Sequence, residues 1–175
     1  MDFFTALRNE NATAFKQKTY KRGELLVSFG ATSSDIFLIT SGACRIYLQN
    51  ADSEHTIRFG YENSMITALD SFIEDKPTVY EIQALRKTTT EVLTRLDLEN
   101  FIENHPDRLR SYNEILKQLV IQQMEREHDL LTLSPVDRYT RVLARSPQLF
   151  QHIPLKYIAS YLRMTPETLS RIRKS

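Results

Sequence analysis

The segment from Asp107 to Leu131 constrains the fold more than any other, because it runs for 25 residues without Gly or Pro. At the rise of an α-helix these residues span roughly 37 Å, which is long for a helix lying against a small domain. Apolar and long polar side chains recur at alternating steps of three and four, as in a heptad seam. These positions are Leu109, Tyr112, Leu116, Leu119, Gln123, Arg126 and Leu130.

Two interpretations of this stripe stay open. A second copy of the same helix is the simplest partner, and we expect a homodimer. The alternative is that the stripe covers the rest of its own chain. Gln123 and Arg126 weaken the C-terminal half of the seam, although one polar seam residue can also fix register and oligomeric state. The predicted dimer interface consists of Leu109, Tyr112, Leu116, Leu119 and Gln123.

The part before this helix has the pattern of a β-rich domain. Short extended runs such as CRIYLQN and HTIRFGY alternate apolar and polar residues, as half-buried strands do. All four glycines of the chain fall between residues 23 and 60, at the ends of such runs. Evenly spaced short strands predict a β-roll or barrel. Val79, Ile82 and Val92 are predicted core positions.

The part after the long helix predicts three short helices. Ser134 and Pro135 suit the first positions of one, and Pro154 opens the next. A short break at Arg163 and Met164 then leads into TPETLSRIRKS, where Thr165 can cap the last helix. Two short helices separated by a tight break indicate a helix-turn-helix.

The sequence thus predicts an α+β protein in three parts. Residues 1–106 form a β-roll resembling a sensor domain, residues 107–131 a dimerisation helix, and residues 132–175 a helix-turn-helix domain.

Charge is divided unevenly along the chain. Residues 134–175 hold eight Lys and Arg against two Asp and Glu, a net charge of +6, whereas residues 1–133 carry −5. This asymmetry is typical of a protein whose C-terminal end faces a polyanion. A solvated basic tail is the alternative.

The last helix presents side chains suited to reading DNA. Glu167, Ser170, Arg171 and Lys174 lie at i, i+3, i+4 and i+7 and so share one face. Arg can donate two parallel hydrogen bonds to guanine, and Glu can accept one from cytosine. Other residues of the module suit phosphate oxygens. The predicted DNA-binding set is Lys156, Tyr157, Thr165, Glu167, Thr168, Ser170, Arg171, Arg173 and Lys174.

The stretch IPLKYIASYLRMTPETLSRIRK resembles the helix-turn-helix of the Crp/Fnr family of bacterial transcription regulators. The resemblance is strongest to the branch whose recognition helix reads E-T-(apolar)-S-R, here Glu167 to Arg171. It implies a cyclic-nucleotide-binding-like jelly roll, a long dimerisation helix and a DNA-reading module over essentially the whole chain. It also implies that Glu167, Ser170 and Arg171 contact base edges in a roughly palindromic operator of double-stranded DNA, with RNA polymerase as a further partner.

The sequence departs from that family at the ligand site. Thr67 and Ala68 stand where cyclic-nucleotide binders of the family have Gly and Glu, and Pro77 and Thr78 stand where they have Arg and a small residue. Lys76 is the only cation nearby. A buried phosphate without its bidentate Arg is poorly stabilised, so the protein is not expected to respond to cAMP. No cofactor is predicted, and the effector is unknown.

Two further departures concern the DNA-binding module. Arg163 occupies the turn position where the family usually has Gly, and a left-handed residue with a Cβ costs about 1–2 kcal/mol. The β-hairpin wing of the family is absent after Ser175, so either its contacts are dispensable or the C-terminus is incomplete.

Other classes of function find little support. Cys44 is alone, which excludes an internal disulfide and a four-cysteine cluster within one chain, and we expect it to be a small buried hydrophobe. The four histidines form no recognisable metal set, so neither a metal site nor catalysis is expected. No signal peptide or membrane span is recognisable, which favours a cytoplasmic protein. The remaining alternative is a sensor or adaptor whose terminal helices bind another protein instead of DNA.

Overall fold

The computed structural model describes residues 3–10, 14–51, 53–103 and 105–174. Within these ranges there are eight strands: β1 Lys16–Tyr20, β2 Leu25–Val27, β3 Asp35–Ser41, β4 Ala43–Asn50, β5 Ser53–Tyr61, β6 Met65–Ile66, β7 Tyr80–Ala84 and β8 Thr88–Thr94. Eight helices accompany them: α1 Phe3–Glu10, α2 Leu69–Glu74, α3 Arg95–Ile102, α4 Pro106–Leu131, α5 Pro135–Arg145, α6 Leu149–His152, α7 Leu155–Tyr161 and α8 Pro166–Ile172. The predicted fold class, α+β with an N-terminal β-roll, is confirmed.

The β-roll consists of two antiparallel four-stranded sheets, ordered β1-β8-β3-β6 and β2-β7-β4-β5. Their inner faces bury one apolar cluster that includes Phe37, Ile39, Ile46 and Ile82. The turn from β3 into β4 requires Gly42, whose φ is +99° and whose missing Cβ would lie 2.6 Å from the carbonyl oxygen of Lys87. The roll therefore closes around a core built from alternate residues of each strand.

One predicted core residue is wrong. Ile82 and Val92 are buried as expected, but Val79 is 47% exposed. Residues 79 and 82 have opposite parity, so they cannot both face inward from one extended segment. Thr78 takes the inward position instead and is 1% exposed.

The outer face of the first sheet is covered by helices α1, α3 and α4. Phe3 and Leu7 of α1 pack with Ile36, Leu93 and Phe101 in a second apolar cluster. Helix α1 was not predicted from the sequence. This packing fixes the N-terminal half of α4 against the roll.

The predicted long helix is confirmed, with α4 running from Pro106 to Leu131. The following helix α5 begins as expected, because the Ser134 hydroxyl accepts a hydrogen bond from the Asp137 amide at 3.2 Å. Helix α6 was not predicted, so the described part of the segment after α4, residues 132–174, contains four helices where three were expected.

The helix-turn-helix lies against the outer face of the second sheet. Ala43 of that sheet and Leu85, which directly follows β7, share an apolar cluster with Val142, Ile158 and Leu169 of the C-terminal helices. Two hydrogen bonds of Ser160 join α7 to the backbone of β5. The Ser160 Oγ accepts from the Thr56 amide at 3.2 Å and donates to the Glu54 carbonyl at 3.1 Å. The C-terminal helices are thus docked on the roll.

Among the described residues, none of the helices combines the length and the apolar character that crossing a membrane requires.

Candidate nucleic-acid interface

Helix α8 is held in place by a cap at its start and one apolar side. The Thr165 hydroxyl accepts a hydrogen bond from the Thr168 amide at 3.2 Å, and Pro166 occupies the first turn. Leu169 is fully buried against the core of the C-terminal helices. Arg163, in the turn before the helix, has φ +54°, which is the left-handed conformation that the family's Gly would adopt without strain. A residue with a Cβ therefore occupies a left-handed position in this turn.

The opposite side of α8 faces solvent. Glu167, Ser170, Arg171 and Lys174 are all exposed. The pKa of Glu167 is lowered by hydrogen bonds from its own backbone amide and from Thr165, with a smaller contribution from the charge of Arg171. Glu167 is therefore ionised at neutral pH and can accept hydrogen bonds. Arg171 keeps its guanidinium free for a partner outside the chain, since no hydrogen bond or ion pair to another described residue involves its side chain.

The other predicted DNA-binding residues lie in two environments. Lys156, Thr165, Arg173 and Lys174 are exposed, and Thr168 is half-buried beside the cap. Tyr157 instead packs on the roll, where the Arg45 guanidinium lies 4.4 Å from its ring centroid and Lys156 Nζ lies 4.5 Å away. These assignments stay predictions.

Helix α4 exposes an apolar stripe that differs in phase from the predicted seam. Leu109 and Leu116 are exposed, but Tyr112 and Leu119 are half-buried and face their own chain. The Tyr112 ring lies 6.2 Å from that of Phe3. Exposed apolar residues continue instead at Val120, Met124 and Leu131, while Gln123 is exposed and polar. The predicted seam is therefore divided between one side of the helix that covers its own chain and another that faces solvent, and pairing through the exposed side stays a prediction.

The ligand-site region of the β-roll contains a carboxylate of the chain itself. Asp70 accepts hydrogen bonds from the Thr78 hydroxyl at 2.8 Å and from the Val79 amide at 3.0 Å. Ala68 is fully buried, and the Thr67 hydroxyl donates to the Asp35 carbonyl at 2.8 Å. Lys76 is exposed and pairs with Glu74 at 3.2 Å. Sequence reasoning did not identify Asp70, because its role depends on a hydrogen bond across the turn between α2 and β7.

A cavity of about 340 Å³ lies beside this region, between the inner face of the roll, α2 and α4. Its wall is largely apolar, with Ile36, Ile57, Phe72 and Leu119 among the lining residues. Such a volume is at the small end of ligand-binding pockets.

No group of three His, Cys, Asp or Glu within the described ranges is arranged to hold a metal ion. Cys44 is fully buried, and burial raises the pKa of its thiol to about 12. The thiol is therefore protonated at neutral pH and poorly reactive.

Comparison with known proteins supplies the family. The family profile described as "Cyclic nucleotide-binding domain" matches residues 17–105. The chain belongs to the cyclic nucleotide-binding domain family. No curated protein sequence matches the chain.

Solved structures with the same fold extend beyond that domain. A CooA mutant from Carboxydothermus hydrogenoformans aligns with a TM-score of 0.78 at 17% identity, covering 99% of this chain and 83% of that one. FixK2 from Bradyrhizobium japonicum gives 0.77 at 17% identity, covering 91% and 83%. The c-di-GMP responsive global regulator CLP of Xanthomonas campestris gives 0.70 at 13%, covering 97% and 90%. The architecture expected from the Crp/Fnr resemblance, from roll to terminal helices, is confirmed as a shared fold.

In this member of the cyclic nucleotide-binding domain family, the positions where the Crp/Fnr resemblance implies nucleotide-binding residues hold other side chains. Ala68 has no group to bond a ribose hydroxyl, and no Arg lies at Pro77 or Thr78. The donors that face the site, the Thr78 hydroxyl and the Val79 amide, are taken by Asp70. The cavity beside these positions is lined by the carboxylate of Asp70 and also by the guanidinium of Arg58.

Proposed function

We propose that the protein is a homodimeric, sequence-specific DNA-binding transcription regulator of the Crp/Fnr type that does not respond to cAMP. It acts by binding and not by catalysis, in the cytoplasm, on a roughly palindromic operator. RNA polymerase is a further expected partner. The observation that carries the proposal is the solvent-facing side of α8, with Glu167, Ser170 and Arg171 presented together.

The chemistry of that face favours the major groove. An α-helix fits this groove, and Arg and Glu complement the donor and acceptor patterns of G·C pairs. Arg171 has no carboxylate partner within ion-pair distance among the described residues, so its guanidinium needs no rearrangement to donate two hydrogen bonds. Lys174 and Arg173 follow at the end of the helix and suit the phosphates on either side of the groove.

Pairing of two copies through α4 would match the symmetry of such a site. The exposed residues Leu109, Leu116, Val120 and Met124 form a stripe along the helix. Burying a stripe of this kind against its own copy removes apolar surface from water on both chains. We therefore propose this stripe as the interface. Beyond Leu116 it differs from the predicted seam by one residue, with Val120 and Met124 in place of Leu119 and Gln123.

Self-association is tested by sedimentation of Val120→Glu. A carboxylate in the stripe would have to be desolvated in the dimer, so we expect the variant to sediment as a monomer while the wild type sediments as a dimer. Arg110→Glu, at a position that is 78% exposed at the side chain, is the control and should remain dimeric. A monomeric wild type would contradict the dimer assignment.

DNA recognition is tested by selecting bound fragments from a pool of random duplexes. We expect enrichment of two inverted half-sites about 10–10.5 bp apart, the spacing that a two-fold dimer of such modules gives. Addition of cAMP should leave the affinity for the enriched fragment unchanged. Failure to enrich any sequence, together with capture of a protein through the same helices, would favour the adaptor alternative.

A further inference from the structure

A second cavity lies at the junction of the roll, the long helix and the DNA-binding module. It measures about 660 Å³ and is lined by residues of β5, α4, α5 and α7. We call it the junction cavity. None of the residues from Thr67 to Thr78 contributes to its wall, which distinguishes it from the smaller cavity, although Ile57, Arg58 and Leu119 line both cavities. Its volume is within the range of small-molecule sites.

Arg126 of α4 brings a buried positive charge without a full set of partners to this cavity. The residue is 8% exposed, and its Nη1 atom is buried with no hydrogen-bond partner. Its guanidinium lies 3.7 Å from the centroid of the Tyr161 ring. Stacking on the ring offsets part of the cost of burial but leaves the in-plane N–H groups without acceptors.

The nearest carboxylates cannot serve Arg126, because they are already bound. The oxygens of Asp129 are taken by Arg141 and Arg145, and Glu125 bonds the same two residues at 2.9 and 3.2 Å. Glu114, at another part of the wall, pairs with Lys117 at 2.6 Å. The carboxylates around the junction cavity are therefore already paired with Arg141, Arg145 and Lys117.

Arg58 of β5 is a second cation on the same wall. It pairs with Ile46 in the sheet register and lines both the junction cavity and the smaller cavity inside the roll, so its side chain lies between the two. Among the described residues its side chain has no hydrogen bond or ion pair, and burial lowers its pKa, opposed by the charge of Tyr161. Tyr161, on whose ring Arg126 stacks, lines the same cavity as both guanidiniums.

We propose that the junction cavity binds a phosphate monoester, with Arg58 and Arg126 as the ligands of the phosphate group. A dianion balances the two cations that lack carboxylate partners, and guanidinium groups bond phosphate oxygens through paired N–H donors. The remaining wall supports an apolar body, since Ile57, Phe59, Leu119 and Val142 line it, while Gln118 and Gln122 offer amides for orientation.

Binding there joins the three parts of the molecule. Arg58 belongs to the roll, Arg126 to the long helix, and Tyr161 to the DNA-binding module. A phosphate bound by both guanidiniums therefore links the roll to the long helix. It also orders the DNA-binding module, because the Tyr161 ring stacks on Arg126. Occupancy therefore stabilises the docked position of α7 on β5. This inference does not depend on DNA recognition, because phosphate binding is measured on the protein alone.

The test is thermal unfolding and isothermal titration of the full chain with phenyl phosphate, inorganic phosphate and benzyl alcohol at constant ionic strength. We expect phenyl phosphate to bind and raise Tm, inorganic phosphate to bind more weakly, and neutral benzyl alcohol to have no effect. Hydrogen exchange of the α7 amides should slow with phenyl phosphate. Absence of any shift with both phosphates would overturn the proposal.

Two variants and a matched control assign the site. Arg126→Gln and Arg58→Gln should each weaken phenyl phosphate binding at least about tenfold, since each removes a charge-assisted hydrogen-bond donor. Arg110→Gln, on the exposed side of the same helix, should bind like the wild type. Unchanged affinity in Arg58→Gln or in a folded Arg126→Gln would show that the phosphate binds elsewhere. Since Arg58 is only half-buried, its variant decides the question if Arg126→Gln does not fold.

Discussion

Replacement of Asp129 by Asn tests how the C-terminal helices are attached to the long helix. The Asp129 carboxylate is fully buried and binds Arg141 at 3.2 Å and Arg145 through two contacts. Removing one partner of a buried ion pair costs about 3–5 kcal/mol. Arg141 and Arg145 are about a third exposed and keep Glu125, so we expect a loss of about 2–3 kcal/mol in the free energy of unfolding.

Urea denaturation followed by circular dichroism measures this change. For an m-value of about 2 kcal/mol/M, the midpoint should fall by about 1–1.5 M. Asp107→Asn is the matched control, because Asp107 is 95% exposed at the side chain and lies 3.6 Å from Arg110 on the same helix. The control should lose less than about 0.5 kcal/mol. An equally small loss for Asp129→Asn would refute the reasoning that this network anchors α5 to α4.

Three further substitutions test local features. Thr165→Ala should destabilise the protein by about 1 kcal/mol through loss of the helix cap, and Thr165→Ser should restore it, as measured by the same denaturation. Burial raises the pKa of the Cys44 thiol in the folded protein from 9.0 to about 12, so the thiol of the unfolded chain ionises first as the pH rises. Above pH 9 the free energy of unfolding of the wild type should therefore fall by about 1.4 kcal/mol per pH unit, a loss that Cys44→Ala should not show. Equal pH slopes would contradict the burial of the thiol. Gly42→Ala should lower Tm more than Gly23→Ala, since both glycines have positive φ but only at Gly42 does an added Cβ meet atoms within 4 Å. Equal losses in a thermal shift assay would contradict the close approach at Gly42.

Features that depend on neighbouring residues were predictable from the sequence. The start of α5 at Ser134 and Pro135 and the cap of α8 at Thr165 follow from side-chain groups that bond the backbone two or three residues later. The extent of α4 likewise follows from the absence of Gly and Pro.

Features that depend on contacts between distant segments were not predictable. The heptad pattern did not indicate that Tyr112 and Leu119 face their own chain. Helix periodicity predicts which residues share one side of a helix, but it does not predict which surface that side packs against. Nor does the sequence indicate that Arg45 of the roll, which is 3% exposed, lies under Tyr157. The junction cavity arises in the same way, from docking of α5 and α7 on β5 and α4.

The most direct test of the proposed function is to compare the affinity of the wild type and Arg171→Ala for the selected duplex and for random duplex at a fixed salt concentration. Loss of a bidentate base contact should weaken binding to the selected site by about 1–3 kcal/mol and leave random DNA nearly unaffected. Lys174→Ala should instead weaken both about equally, since phosphate contacts carry no sequence information. Equal losses of Arg171→Ala on both duplexes, or no binding of either by the wild type, would contradict the claim that the exposed face of α8 reads DNA.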